Sequence, residues 1–130
     1  MHPDDDWRLL EASLAARGVL LPPDALEQLQ EHWRLVRQEN KRQNLTSITE
    51  TPEAVLRHYL DSLAPLWCAG QLGLALPDEA LRVLDAGTGA GFPGIPLKLL
   101  RPRWAVTLAD SRLKRVRFLR RVIEKLGLSE

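Results

Sequence analysis

The chain has 130 residues, enough for one ordinary domain and short for two independent cores. Hydrophobic residues make up 45% and charged residues 27%, a globular balance without low-complexity tracts, and no run of about 18 apolar residues offers a membrane span. Net charge is +1, yet residues 1–97 hold eight Lys/Arg against fourteen Asp/Glu and residues 98–130 hold ten against three, so a basic face is expected at the carboxyl end.

The amino end, MHPDDDW, is acidic where a secretory signal would be basic. The single cysteine, Cys68, cannot form an internal disulfide, and no Cys/His cluster has metal-ligand spacing. A soluble cytoplasmic protein without a metal site is expected, with Cys68 a buried, inert thiol.

The first predicted helix covers about 7–17, with Trp7, Leu10 and Leu14 on one face, aspartates before it and Gly18 after it. A second runs from about Asp24 to Arg42, its stripe formed by Leu26, Leu29, Trp33 and Val36. After the turn-rich connector NLTSITETP, Thr51-Pro52 reads as an N-cap followed by proline at the first helical position. The third helix then covers about 52–67, with Val55, Leu56, Tyr59, Leu60, Leu63 and Trp67 on a broad apolar face. AGQLGLALPDEA breaks this pattern, dividing a helical region at 1–78 from a second region at 79–130.

Beyond the boundary the period changes. LRVLDA is a short apolar run ended by Asp85 and a glycine loop, the pattern of a buried parallel strand. A helix starts near Pro93, RWAVTLAD repeats the strand pattern up to Asp110, and Ser111 can cap a last helix through about Gly127. Val116, Leu119, Val122, Ile123 and Leu126 are expected to face the sheet. Strand, glycine loop, helix, strand, helix is the first half of a doubly wound α/β sheet, preceded here by a helical region.

A loop that follows a strand and opens a helix lies at the carboxyl end of the sheet, where open α/β folds bind ligands. Gly87, Gly89 and Gly91 allow positive φ and close approach of a ligand to the backbone. Gly89, Gly91 and Gly94 also satisfy the dinucleotide pattern G-x-G-x-x-G. Pro93 and Pro96, however, remove two N–H groups from the first turn that would cradle a pyrophosphate. G-x-G-x-G at 87, 89 and 91 suits S-adenosyl-L-methionine instead. Asp110, at the end of the second strand, can accept hydrogen bonds from ribose hydroxyls of either cofactor. Asp85 admits two roles, attraction for the cofactor's ammonium group or capping of the turn.

The segments NKRQNLTSIT, RHYLDSLAPL, VLDAGTGAGFPGIPLKLLRP and LADSRLKRVRFLRRV, in that order from Asn40 to Val122, together resemble the bacterial small-subunit ribosomal RNA methyltransferase G family, also called glucose-inhibited division protein B. The resemblance implies a Rossmann-like, S-adenosyl-L-methionine-dependent enzyme that methylates N7 of a guanine in 16S rRNA, free or in a small-subunit assembly intermediate. It implies that Gly87 and Phe92 contact the cofactor, that Gly89 and Gly91 shape its loop, and that Asp110, Ser111 and Arg112 lie beside its ribose. Guanine N7 already presents a lone pair, so no catalytic His or Cys is required. The family's sheet has seven strands, whereas this sequence stops at Glu130 after two; a truncated methyltransferase is therefore expected.

The last helix carries Arg112, Lys114, Arg115, Arg117, Arg120, Arg121 and Lys125, most of them expected to face solvent. Among these, Lys114, Arg115, Arg117 and Arg121 are candidates for neutralising rRNA phosphates; a solvated helix surface is the alternative. His58 and Asp61 are spaced to pair on one helix face. Asn40 and Asn44 are candidates to fix the connector by side-chain bonds to backbone. The four tryptophans read as core. Two other function classes are an NAD-dependent oxidoreductase and a non-catalytic RNA-binding module; cofactor preference, and RNA affinity indifferent to cofactor, separate them from a methyltransferase.

Overall fold

The computed structural model describes residues 4–74, 76 and 81–128. Helix α1, Asp5–Ala16, and helix α2, Ala25–Glu39, bury Trp7, Leu10 and Leu14 and Ala25, Leu29, His32, Trp33 and Val36 respectively. The stripe on α2 therefore includes a histidine between its apolar residues. Leu26 is only partly covered.

The third helical region is built in pieces: α3 (Thr51–Ala54), a π-helical stretch (Val55–Leu60), α4 (Asp61–Leu63) and α5 (Pro65–Gln71). A π turn advances the helix face, and such turns recur at functional sites. Val55 and Tyr59 are buried, while Leu56, expected on the same apolar face, is 54% exposed. The N-cap is Glu50, with extended backbone, rather than Thr51. Thr51 Oγ1 instead accepts the indole N–H of Trp33 at 3.1 Å. Trp67 is half-buried with the Arg17 guanidinium 5.2 Å from its ring, and Cys68 is half-buried rather than buried. The expected boundary between residues 78 and 79 lies outside the described residues.

Strands β1, Arg82–Ala86, and β2, Ala105–Ala109, pair in parallel with Arg82 opposite Ala105 and Ala86 opposite Ala109. Helix α6, Gly94–Leu100, joins them and α7, Leu113–Lys125, follows. The strands alternate in burial, which corrects the expectation of fully buried strands. Val83, Asp85, Val106 and Leu108 are at least partly covered, whereas Leu84 is 68% exposed on the other face. The N-cap of α7 is Arg112, not Ser111, and Phe118 joins Leu119 and Val122 as a buried residue. One hydrophobic cluster runs from Trp7 and Leu10 through Trp33, Tyr59 and Leu63 to Ile95, Trp104, Phe118 and Val122. Each large side chain in it contributes about 1.5–3 kcal/mol by leaving water. No helix among the described residues is long and apolar enough to cross a membrane.

Candidate functional site

The paired register sets the carboxyl ends of β1 and β2 side by side, so the loop after Ala86 meets the end of β2 directly. Gly87 and Thr88 both donate their N–H to Ala109 O, at 2.7 and 3.1 Å. Gly87, Gly89 and Gly91 have φ of 73°, 59° and 103°, in the region that a Cβ disfavours. A Cβ placed on Gly87 or Gly89 would meet nothing within 4 Å. At Gly91 it would stand 2.5 Å from Ile95 Cδ1 and 3.3 Å from His32 Nε2. The first two glycines leave room above the backbone; the third leaves room beneath it.

Asp85 turns back under the loop. Its Oδ2 accepts Thr88 Oγ1–H at 2.5 Å and the N–H of Gly94, the first residue of α6, at 3.0 Å. A Cβ on Gly94 would collide with Leu108 and lie 2.9 Å from Asp85 Oδ2, so glycine is what lets α6 approach the sheet this closely. Asp85 is thus engaged as a cap. Gly91 and Phe92 donate their N–H to Thr88 O, at 3.0 and 3.2 Å. The backbone amides of Gly87, Thr88, Gly89, Gly91, Phe92 and Gly94 all have partners within the protein.

Asp110 closes the other side. Oδ1 accepts the N–H of Arg112 at 2.9 Å, Oδ2 accepts that of Gly89 at 2.9 Å, and the Arg115 guanidinium lies 3.7 Å from Oδ2. The Arg112 amide above all, then the Gly89 amide and Arg115, hold this carboxyl below its ordinary range. Its side chain is 3% exposed, and Oδ1 keeps a second lone pair for a hydroxyl donor. Ser111 and Arg112 are exposed beside it.

Beneath the loop sits a set of rings. Phe92 stacks on His58 with centroids 4.3 Å apart and planes 6° from parallel, and meets Tyr59 and His32 at 5.1 and 5.0 Å. His58 Nε2 is 2.8 Å from Thr46 Oγ1, so this ring nitrogen serves the connector rather than Asp61. Burial lowers the His58 pKa, against the opposing pull of Glu53 and Asp61. His32 is fully buried, and burial pushes its pKa down to about 4. Asn40 holds the connector as expected: Oδ1 accepts the N–H of Leu45 and Thr46 at 2.8 and 3.1 Å, and Nδ2 donates to Thr46 O at 3.0 Å. Asn44 takes part through its backbone carbonyl, 3.4 Å from Arg115 Nη2.

The basic helix divides. Lys114 and Arg117 are exposed, while Arg115 is turned toward Asp110 and Asn44. Arg121 is exposed but pairs with Glu39 of α2 at 2.7 Å. Between α2 and α7 lies a groove of about 240 Å³ that includes Gln38, Arg42, Arg121 and Lys125. A larger cavity, about 830 Å³, opens between α2 and the connector and includes Arg37, Lys41 and Thr46. It contains none of the glycine-loop residues.

Residues 25–130 match the family model described as rRNA small subunit methyltransferase G. The chain belongs to this family. Relatives named ribosomal RNA small subunit methyltransferase G include one from Thermoanaerobacter sp. (strain X514), 42% identical over 113 residues that cover 87% of this chain and 45% of the relative. Another, from Streptococcus pyogenes serotype M2 (strain MGAS10270), is 41% identical over 128 residues, 98% of this chain and 50% of the relative. A third, from Lactiplantibacillus plantarum, is 39% identical over 129 residues, 99% and 50% respectively. The chain spans about half the length of these relatives. The methyltransferase G match takes in α2 through α7, and with them the glycine loop, Asp110 and the basic helix. Sequence reasoning missed Thr88, His32 and Tyr59 as loop supports. For His32 a signal existed, since it lies three residues after Leu29 on the buried stripe, where a histidine needs partners for both nitrogens.

Proposed function

We propose that this chain carries the cofactor-binding part of an S-adenosyl-L-methionine-dependent methyltransferase that modifies N7 of a guanine in 16S rRNA, in the cytoplasm, on RNA or a small-subunit assembly intermediate. In this reading residues 1–78 form a helical unit and 79–130 the start of the cofactor unit. Gly87 and Phe92 contact the cofactor, Gly89 and Gly91 shape its loop, and Asp110, Ser111 and Arg112 flank its ribose.

One observation carries the choice of cofactor: the Asp85 carboxylate accepts the N–H of Gly94 at the start of α6, 3.0 Å away. In a dinucleotide site that amide faces the pyrophosphate, and a carboxylate in the same place repels it. The other loop amides with internal partners leave little backbone for a phosphate. A zwitterionic, sulfonium-bearing cofactor has no such need. Its positive charges are favoured near Asp85, and the space over Gly87 and Gly89 admits it.

When bound, S-adenosyl-L-methionine supplies an electrophilic methyl group. The protein's part is to hold that methyl in line with guanine N7, whose lone pair attacks without a general base; positioning of this kind is worth roughly 7–11 kcal/mol. Of the four candidates for phosphate attraction, Lys114 and Arg117 are exposed and would bring the RNA, while Arg115 and Arg121 are engaged by Asp110 and Glu39 and add charge to the same face. Calorimetric titration of the chain with S-adenosyl-L-methionine and with NAD tests the proposal. Saturable binding of the first alone is expected; preference for NAD, or no binding of S-adenosyl-L-methionine by folded protein, rejects the cofactor assignment.

A further inference from the structure

The glycine loop is held by the N-terminal helices on both sides of Gly91. Ala90 O lies 2.9 Å from His32 Nε2, a Cβ on Gly91 would stand 3.3 Å from the same nitrogen, and Phe92 packs on the rings of His32, His58 and Tyr59. A carbonyl oxygen only accepts, so His32 Nε2 carries the proton and donates it to Ala90 O. The neutral ring then accepts at Nδ1, and Tyr59 OH, 3.0 Å away, is the donor. Both nitrogens of a fully buried imidazole are thus satisfied.

The geometry matters because of which peptide is held. The unit between Ala90 and Gly91 is pinned at both ends, its oxygen by His32 and its N–H by Thr88 O at 3.0 Å. A peptide next to a positive-φ glycine is the kind that interconverts between turn types by rotating its plane. Rotation here would turn a carbonyl where an N–H now lies and reshape the backbone over which the proposed cofactor sits.

We infer that His32 is a positioning residue for the cofactor loop, fixing the Ala90–Gly91 peptide plane from α2 with Tyr59 orienting its ring. The inference rests on the cofactor reading only for its binding consequence; loop order is read without ligand.

The test compares the whole chain with His32→Phe, His32→Gln and Tyr59→Phe by amide hydrogen exchange resolved by NMR, with S-adenosyl-L-methionine titrations beside it. His32→Phe keeps a ring but removes the donor, so exchange at Gly91 and Phe92 is expected to rise roughly tenfold relative to the core amides of α2 and β2, and cofactor affinity to fall by about the same factor. His32→Gln restores a side-chain N–H and is expected to recover most of both. Tyr59→Phe removes only the hydroxyl that orients the imidazole and should show the same selective change in weaker form; it also decides the matter if His32→Phe does not fold. Loop exchange unchanged in the variants, or raised uniformly with the core, overturns the inference. If wild-type protein binds no S-adenosyl-L-methionine, the cofactor assignment fails while the exchange pattern still judges His32.

Discussion

The four loop glycines serve different needs, and alanine substitution separates them. Gly87→Ala and Gly89→Ala place a Cβ in open space at φ of 73° and 59°. Their cost is the left-handed penalty of about 1–2 kcal/mol, partly offset because alanine restricts the unfolded chain by about 0.4–1 kcal/mol. A net loss of about 1 kcal/mol is expected for each. Gly91→Ala meets the same strain and also presses on Ile95, a core side chain 1% exposed, and on His32. Overpacking adds about 1–3 kcal/mol, for a total near 3 kcal/mol. Gly94 is the sharpest case, because helix propensity alone makes Gly94→Ala stabilising by about 1 kcal/mol. Its Cβ would nevertheless strike Leu108 and crowd an Asp85 carboxylate already held by two donors. We expect a net loss of about 2 kcal/mol. Urea midpoints followed by tryptophan fluorescence give the stability order, Gly91 variant lowest, then Gly94, then Gly87 and Gly89. Cofactor titration should show a different order, with Gly89→Ala losing at least about tenfold in affinity while remaining well folded. A stabilised Gly94→Ala would refute the tight packing of α6 on Asp85, and equal costs at all four positions would refute the division between ligand space and packing space.

Acid should destabilise the protein through its buried histidine. His32 is held neutral with a pKa of about 4 against an ordinary 6.5, so the unfolded chain binds the extra proton first and stability falls as pH drops from about 6.5 toward 4, by about 3 kcal/mol for this group. His58 acts in the same direction, and Asp110, with its lowered pKa, contributes stability that is lost at still lower pH. Urea midpoints at pH 7.5 and 4.5 measure the slope, and His32→Gln should flatten it. Asn40→Ala removes three bonds to Leu45 and Thr46, so a loss of about 2 kcal/mol is expected in the same assay. Charge reversal at Lys114 and Arg117 should weaken binding of 16S rRNA fragments and lower the salt slope by about one for each phosphate no longer neutralised; an unchanged slope would remove these side chains from the interface.

The order of elements was legible because each left a distinct period: a 3.6-residue stripe through Leu29, Trp33 and Val36, then short apolar runs ended by Asp85 and Asp110. Less legible were features set by tertiary contact. Leu56 fits an ideal helical face, but the π turn through His58 and Tyr59 shifts that face, and nothing in VLRHYL marks the shift. Ser111 has the right chemistry for an N-cap, yet Arg112 takes the place once Asp110 has captured its amide. Arg115 and Arg121 look like surface cations in sequence, and only the fold brings Asp110 and Glu39 to them.

The glycine motif shows why letters alone leave the ligand ambiguous. Gly89, Gly91 and Gly94 satisfy the dinucleotide spacing, and both ligand classes need a bare backbone at the end of a first strand. What separates them is where the amides point and which charge lies beneath. Here the Gly94 amide points at Asp85 and the Gly89 amide at Asp110, so two carboxylates surround the loop. Negative charge on both sides of a short loop disfavours a diphosphate and favours a cation. Asp85 then need not choose between its two expected roles, since a carboxylate that caps α6 through one oxygen still contributes its charge to the space above. Substituting Asp85 by Asn tests that union: the cap can be kept through the amide oxygen, while affinity for the proposed, positively charged cofactor should fall with the lost charge. Unchanged affinity would leave Asp85 as a cap alone.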